Sequence, residues 1–175
     1  MNPRKCAFGV TSGKFLSFIV RHRGIEIDQS KIEAIQKMPK PKNLRELRGL
    51  QGKLAYIQRF ISNLAGRCQP FNRLMKMDVH FEWDEACSNA FAHIKRYLLN
   101  PPVLGAPIPG KPLVLYIAAQ EKSLGALMVQ ENKEVKERAL YYLSRTLNGV
   151  ELNYSPIEKM YLTLFFAIDK LEHYM

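Results

Sequence analysis

The last third of the chain places three strand-like runs before a single amphipathic helix, and this order constrains the fold most. The runs lie at residues 113–118, 124–130 and 139–144, and polar segments separate them. Ser155 and Pro156 then supply an N-cap and a first-turn proline for the helix. A sheet of three strands with one helix is about the least that folds alone, so we expect half of a larger domain.

The middle of the chain is predicted to be helical. A short helix over residues 31–37 is ended by Pro39 and Pro41, because proline cannot continue a helix. Asn43 and Glu46 resemble a capping box at the start of a second helix. Its apolar residues recur at steps of three and four and predict one buried stripe: Leu47, Leu50, Leu54, Ile57 and Ile61. Further helices are expected over residues 70–76 and 84–99, the latter with three residues facing inward: Phe91, Ile94 and Leu98.

Two glycines, Gly49 and Gly52, lie inside the second helix. Each costs a helix about 0.5–1 kcal/mol relative to alanine, because glycine loses the most backbone entropy on folding. Two such losses indicate that another group approaches the helix backbone closely.

Near the N-terminus, residues 15–20 and 24–27 are predicted to be strands of a β-meander. The segment GVTSGKF partly resembles a phosphate-binding P-loop, which needs four residues between its glycines and Ser or Thr after the lysine. Here Gly9 and Gly13 enclose three residues and Phe15 follows Lys14, so a P-loop is excluded.

The net charge of +10 is concentrated in one segment. Residues 31–76 contain 11 basic and 2 acidic side chains, whereas residues 101–175 contain 8 of each. Such a block favours binding to a polyanion, of which nucleic acid is the commonest. The alternative is a solvated basic face that only maintains solubility.

The composition argues against membrane, zinc and disulfide chemistry. No apolar run approaches the roughly 20 residues needed to span a bilayer, and the N-terminus does not resemble a signal peptide. Cys6, Cys68 and Cys87 are odd in number and form no CxxC pair. We expect an intracellular protein, cytoplasmic or nuclear, without a membrane partner.

Several blocks of the chain resemble a known class of protein. Three are similar to successive parts of a retrotransposon reverse transcriptase: KCAFGVTSGKFLSFIVRHRGIEID, KIEAIQKMPKPKNLRELRGLQGKLAYIQRFISNLA and FEWDEACSNAFAHIKRYL. Two resemble the ribonuclease H-like domain that follows it: PPVLGAPIPGKPLVLYIAAQEKSLGALMVQE and LYYLSRTLNGVELNYSPIEKMYLTLFFAIDKLEHYM. The likeness covers the whole chain in colinear order and is closest to plant gypsy-type LTR retrotransposon polyproteins.

The resemblance implies three domains and an α+β fold. Residues 1–30 would be the end of the polymerase palm, a β-hairpin; residues 31–100 the helical thumb and connecting helices; and residues 101–175 the N-terminal half of an RNase H-like domain, a truncated β-β-β-α unit. Four residues of FLSFIV would take the place of the primer grip: Phe15, Leu16, Ser17 and Phe18. The family usually has glycine at the position of Ser17.

The resemblance also implies a duplex-binding face on the second helix. In retroviral relatives a similar helix lies against the minor groove of the template–primer duplex, and the matching positions here are Arg48, Gly52 and Tyr56. Their i, i+4, i+8 spacing places them on one face, away from the leucine stripe. Three further cations are expected to contact phosphates: Arg45, Lys53 and Arg59. The alternative is a helix packed on both faces, with Tyr56 buried.

The catalytic carboxylates of the family are not found at the matching positions. In active RNase H domains of this class the first strand ends in Asp and the helix carries Glu, both of them metal ligands, but Ala118 and Met160 stand here. Glu158 lies about 200° around the helix from Met160, and Glu121 is three residues beyond the strand end. Mg²⁺ is expected for the intact family enzyme, whereas for this chain we expect no cofactor, metal site or catalytic residue.

We therefore expect a fragment of a polyprotein with RNA-directed DNA polymerase and RNase H parentage, inactive alone. No two of its four aspartates are adjacent, so the paired carboxylates of a polymerase palm are also missing. Its expected partners are RNA–DNA hybrid or duplex DNA, the palm and the remaining RNase H segments. The substituted site fits either a connection-like domain that binds duplex without cutting it or the decay of a genomic copy. A host-coopted interaction scaffold and a remnant without function are the alternatives for the whole chain.

Overall fold

The computed structural model describes residues 9–16, 18–76, 80–132 and 135–174, and within them it contains two three-stranded antiparallel sheets. The first consists of β1 (Ser12–Phe15), β2 (Phe18–Arg21) and β3 (Gly24–Ile27). The second consists of β4 (Val114–Ala119), β5 (Ser123–Glu131) and β6 (Glu137–Thr146). The expected α+β class is confirmed.

Helices occupy the segment between the sheets and the end of the chain. In the described residues they are α1 (Gln29–Gln36), α2 (Leu44–Tyr56), α3 (Leu64–Arg67), α4 (Gln69–Leu74), α5 (Glu85–Tyr97) and α6 (Pro156–Leu171). Short 3-10 helices lie at Gln58–Phe60, Gly149–Asn153 and Glu172–Tyr174. The helices predicted over residues 31–37, 70–76 and 84–99 correspond to α1, α4 and α5, whereas α3 has no counterpart in the sequence prediction.

The single strand predicted over residues 15–20 is wrong. The chain reverses at Leu16, whose φ is 45°, so that Phe15 and Phe18 pair across the β1–β2 hairpin. A left-handed backbone is rare for leucine, and apolar patterning therefore does not reveal a turn at this position. Ser17 lies outside the described residues. The predicted meander is otherwise present, since β3 spans the predicted residues 24–27.

The helix caps follow their sequence signals. The Asn43 side chain accepts a hydrogen bond from the Glu46 amide at 2.9 Å, while the Glu46 carboxylate accepts from the Lys42 amide at 2.8 Å, one residue before its place in a capping box. At α6 the box is complete, because Ser155 and Glu158 each accept a hydrogen bond from the other's backbone amide.

Helix α2 ends before its apolar stripe does. All five stripe residues are buried, as predicted. However, Ile57 caps the helix, and Ile61 follows the 3-10 helix Gln58–Phe60. A 3-10 turn keeps residues i and i+3 on one side, so the stripe predicts which residues are buried but overestimates the length of the helix.

One core joins the helices to both sheets. Leu104 belongs to the same buried cluster as the α2 stripe, and it exchanges two backbone hydrogen bonds with Ile25 of β3, at 2.7 and 3.0 Å. Tyr142 of β6 packs against this cluster, and the Ala65 amide of α3 donates to Ser144 Oγ at 3.0 Å. The first sheet, helices α1 to α5 and β6 therefore meet around α2.

Helix α6 covers the second sheet. It packs on β4 and β5 through its buried residues Thr163, Ala167 and Leu171. The three predicted strands are confirmed, and every predicted bound lies within two residues of the observed one. None of the helices in the described ranges is both long and apolar enough to cross a membrane.

Candidate nucleic-acid interface

Helices α1 and α2 border an open groove of about 480 Å³. The groove is lined by residues from one face of each helix: Ser30, Lys31, Ala34, Gly49, Gly52, Lys53 and Tyr56. Two lysines and no carboxylate are among them, so an anion is the favoured occupant.

Gly49 and Gly52 form an exposed part of this groove. A Cβ atom added to either glycine meets nothing within 4 Å, and neither has a positive φ. Internal packing and backbone conformation therefore do not require glycine at these positions, although each glycine destabilises the helix. The two positions instead leave the backbone of α2 open to a molecule approaching from outside.

The predicted cations on α2 are available to a ligand. Arg45, Arg48 and Lys53 are exposed, and none forms an ion pair with a carboxylate in the described part of the chain. By contrast, Lys37 pairs with Glu33 at 2.9 Å. Unpaired exposed cations beside an open groove are suited to phosphate contacts.

Tyr56 connects the α2 face to the predicted primer-grip segment. Its hydroxyl donates a hydrogen bond to the Leu16 carbonyl, and its ring stacks on Phe18 with centroids 5.4 Å apart and an interplanar angle of 10°. The ammonium group of Lys31 lies 5.6 Å from the same ring. Tyr56 is nevertheless 43% exposed, so it is not the buried residue of the alternative interpretation.

The segment expected to resemble a primer grip lies at the β1–β2 turn. Phe15 and Leu16 are exposed, at 67% and 72%, whereas Phe18 is half-buried against Tyr56 and Phe60. Ser17, the fourth predicted residue, is outside the described residues. The structure thus brings Leu16 and Phe18, from one predicted site, into direct contact with Tyr56 of the predicted α2 face.

Arg59 differs from the other predicted cations in its location and its aromatic surroundings. It lies in the 3-10 helix after α2, and its guanidinium is 4.7 Å from the Tyr141 ring centroid, 5.9 Å from Phe18 and 5.8 Å from Phe60. Arg59 therefore occupies a second depression on the other side of Tyr56, of about 450 Å³, and does not line the groove.

The positions expected to match the metal ligands of RNase H carry no ligand atom suited to magnesium. Ala118 lies near the end of β4 opposite Gly125, and Met160 is half-buried on α6. Magnesium binds through hard oxygen ligands, which neither a methyl group nor a thioether supplies. The residues present do not fit the Mg²⁺ site of the intact family enzyme.

Neighbouring charged residues do not replace those ligands. The Glu158 carboxylate accepts hydrogen bonds from the Ser155 amide and hydroxyl, both at 2.7 Å, and these bonds lower its pKa. The Lys159 ammonium donates to the Glu121 carbonyl at 3.2 Å, which places a positive charge at the β4–β5 turn. In the described ranges no group of three or more His, Cys, Asp or Glu side chains is placed to hold a metal ion.

Comparison with known families identifies the second half of the molecule. Residues 83–175, just over half of the chain, match the RNase H-like domain found in reverse transcriptases. The chain belongs to this family. The whole chain is also 29% identical to a segment of the Transposon Tf2-3 and Tf2-4 polyproteins of Schizosaccharomyces pombe. It spans 13% of the length of these curated relatives.

Solved structures show the same fold as this RNase H-like protein and its preceding helices. The foamy viral protease-reverse transcriptase in complex with an RNA/DNA hybrid superposes with a TM-score of 0.79 at 22% identity, over 96% of this chain and 23% of that one. The dsDNA complex of that enzyme gives a TM-score of 0.79 at 20% identity, over 94% of this chain and 34% of that one.

Sequence reasoning missed several residues that line the two depressions. Ser30, Lys31 and Ala34 reach the groove because α1 lies beside α2, and the basic block that includes Lys31 was the available signal. Tyr141 reaches Arg59 from β6, more than eighty positions along the chain. No local sequence pattern links these two residues.

Proposed function

We propose that this chain is the duplex-binding part of a retrotransposon reverse transcriptase, and that it binds RNA–DNA hybrid or duplex DNA with little sequence preference. The parent would be a gypsy-type element of the plant-like class. Contacts to phosphates and the minor-groove surface, which carry little base information, give the low sequence preference.

The open glycine-lined groove between α1 and α2 carries this proposal. Gly49 and Gly52 each destabilise the helix, yet no atom of the protein fills the space that a side chain would take. Nucleic-acid backbone is a ligand that needs such close approach, and Lys31 and Lys53 border the same surface. A helix selected only for stability would carry alanine at both glycine positions.

The proposal also assigns each region of the chain to a part of the parent enzyme. Residues 1–30 are assigned to the end of the palm, with residues 15–18 as a primer grip, residues 31–100 to the thumb and connecting helices, and residues 101–175 to the RNase H-like half. Two solved complexes support a nucleic-acid partner, because the similar enzyme is described with an RNA/DNA hybrid and with dsDNA.

The RNase H-like half is proposed to have a structural role and to perform no metal-dependent cleavage. Ala118 and Met160 supply no carboxylate, and Glu158 is engaged in the cap of α6. Magnesium chemistry, like polymerisation, would then depend on other parts of the parent polyprotein.

A host-coopted interaction scaffold is the second candidate. The exposed apolar stripe of α6 favours it, since four of its residues are between 43% and 72% exposed: Ile157, Tyr161, Phe165 and Ile168. Apolar stripes of this kind mark contacts with other protein surfaces. In that case the groove would be an unused remnant.

Charge-matched variants distinguish the two candidates. Arg45→Gln/Arg48→Gln removes two exposed cations of α2, whereas Arg96→Gln/Lys122→Gln removes two exposed cations elsewhere. With a labelled RNA–DNA hybrid, we expect the first pair to weaken binding at least tenfold, while the second pair changes it less than about threefold. Equal losses would mean that net charge alone attracts the hybrid, and no measurable binding by the wild type would favour the scaffold.

A further inference from the structure

Arg59 is a charged side chain without a charged partner. It is half-buried, its Nε–H is shielded from solvent and donates to no acceptor, and its side chain forms no ion pair or hydrogen bond within the described residues. A buried guanidinium normally donates to a carboxylate or carbonyl, because an unmade hydrogen bond to a charged group is costly. The terminal nitrogens of the guanidinium are not among the buried unpartnered atoms, so they are the donors that an anion from outside the chain would reach.

Aromatic rings hold this guanidinium in place. Tyr141, Phe18 and Phe60 surround it at 4.7–5.9 Å, a range in which cation–π attraction stabilises the charge. Ring faces attract the cation but cannot accept its in-plane N–H groups as an oxygen does. The rings therefore fix the orientation of Arg59 and leave its hydrogen-bonding capacity unused.

The depression around Arg59 has the size and lining of a nucleotide site. Its volume is about 450 Å³, within the usual range for small-molecule sites. The described lining contains no carboxylate and combines aromatic, apolar and amide groups: Leu16, Phe18, Ala55, Tyr56, Gln58, Arg59 and Tyr141. The planar fork of arginine matches a phosphate group, and the apolar rim suits a base.

The position of this depression beside the α1–α2 groove indicates which kind of nucleotide would occupy it. Tyr56 lines both the Arg59 depression and the α1–α2 groove, so the two surfaces adjoin across one side chain. A strand lying in the groove would pass beside Tyr56. A nucleotide that is no longer paired could then leave the duplex and enter the depression.

We propose that Arg59 and Tyr141 form a binding site for one unpaired nucleotide, with the phosphate on Arg59. This rests on the proposed duplex-binding function and deepens it. The site is composite, because Arg59 follows the thumb helix and Tyr141 belongs to the RNase H-like sheet. The same chemistry could be supplied by a free nucleoside monophosphate or by an overhanging nucleotide of a bound strand.

Titrations with two sets of ligands distinguish a free nucleoside monophosphate from an overhanging nucleotide. The full chain is titrated with a blunt RNA–DNA hybrid and with the same hybrid bearing a two-nucleotide overhang, and separately with adenosine 5′-monophosphate and adenosine. We expect the overhang to bind about tenfold more tightly than the blunt hybrid, as one added charge-assisted contact predicts. The monophosphate should compete with the overhang, whereas adenosine should not.

Variants assign the effect to the site. Arg59→Gln and Tyr141→Leu should reduce the ratio of blunt to overhang dissociation constants to about one, with Arg59→Lys intermediate. Arg96→Gln, which removes an exposed cation on α5, should leave the ratio unchanged. Thermal melts establish that each variant is folded, and because the ratio is internal to one sample, partial unfolding does not alter it.

The outcomes are distinct from those of the proposed function. Blunt-hybrid binding without any overhang preference, or a preference that survives Arg59→Gln, overturns the nucleotide site and leaves duplex binding standing. Arg59-dependent binding of the monophosphate without hybrid binding overturns the duplex function and supports the site. Loss of stability in Arg59→Gln with an unchanged ratio would show that Arg59 only joins the helices to β6.

Discussion

The surroundings of the α1–α2 groove and the second sheet differ in how they use their charged residues. Around the groove, Arg45, Arg48 and Lys53 form no ion pair with a described carboxylate. At the second sheet, charges are satisfied internally, as in the Arg145–Glu151 pair with N–O distances of 2.7 and 2.8 Å. The first region leaves these cations without a described carboxylate partner, whereas in the second this pair joins β6 to the 3-10 helix Gly149–Asn153.

The contrast shows why binding and catalysis respond differently to substitution. Polyanion binding sums many weak contacts, so the loss of one cation lowers affinity only in part. Two-metal catalysis needs several carboxylates at fixed positions, so Ala118 and Met160 together are sufficient to remove it. Under the proposed function, a duplex-binding surface would therefore persist beside a site without metal ligands.

The largest expected effect concerns cleavage. We expect the chain to leave the RNA strand of a hybrid intact in the presence of Mg²⁺ or Mn²⁺, because the strand-end and helix positions provide no carboxylate. Ala118→Asp alone should not create activity, and Ala118→Asp/Met160→Glu should remain weak, since both changes restore only two ligands. Product is measured on a denaturing gel with a chelator control. Chelator-sensitive cleavage by the unmodified chain would contradict the comparison.

The next effect is the salt dependence of binding. If Lys31, Arg45, Arg48 and Lys53 each contact one phosphate, log affinity should fall with log salt at a slope of about −3.6, which is about a hundredfold between roughly 50 and 200 mM. Arg45→Gln/Arg48→Gln should reduce the slope by about 1.8. Fluorescence anisotropy at four salt concentrations measures both values. A slope near zero would exclude phosphate contacts as the basis of binding.

A smaller effect is expected at the groove floor. Gly52→Val should weaken hybrid binding by roughly tenfold, because a branched side chain would separate the backbone from its ligand. The free energy of unfolding should change by less than about 0.5 kcal/mol, since the added Cβ meets nothing within 4 Å and valine has the higher helix propensity.

Ala92→Val, at an exposed position of α5, is the matched control for this substitution and should leave binding unchanged. Urea unfolding and hybrid titration are measured on both variants. Should Gly52→Val unfold the protein while binding per folded molecule stays constant, the groove interpretation would be wrong.

The smallest expected effect concerns the Arg145–Glu151 pair of the second region. The Arg145 guanidinium and the Asn148 amide bond the Glu151 carboxylate and lower its pKa from 4.5 to about 2. This carboxylate therefore adds stability above about pH 4.5, and the contribution is lost as the pH falls towards 2. Because the pair is partly exposed, we expect about 1 kcal/mol, or a melting temperature about 2–4 °C higher. Glu151→Gln should lose this pH dependence, and identical acid profiles for both proteins would contradict the internal role of the pair.

Local signals in the sequence predicted most of the secondary structure. Asn43 and Ser155 start α2 and α6 as their capping patterns predict, and the leucine stripe of α2 is buried. These features depend on residues within one or two helical turns. The hairpin turn at Leu16 was missed because its left-handed φ of 45° opposes the local preference of leucine.

The candidate site was only partly predictable, because local spacing shows which residues share a helix face but not which distant residues they contact. The i, i+4, i+8 spacing is sufficient to place Arg48, Gly52 and Tyr56 on one exposed face of α2. It could not show that the Tyr56 hydroxyl bonds to the Leu16 carbonyl, since the two residues are 40 positions apart. The direction of Arg59 was likewise set by Tyr141, which the fold brings from β6.

The sequence by itself determined the longer helices, the second sheet, the basic block and the replacement of both expected metal ligands, because each is decided by residue type or short-range periodicity. Only the tertiary structure decided that α1 and α2 border a groove, that the space beside Gly49 and Gly52 is open, and that Arg59 has no carboxylate partner among the described residues. Those properties depend on which distant segments pack together. A side chain's free space and its missing partner are set by neighbours that lie far away along the chain.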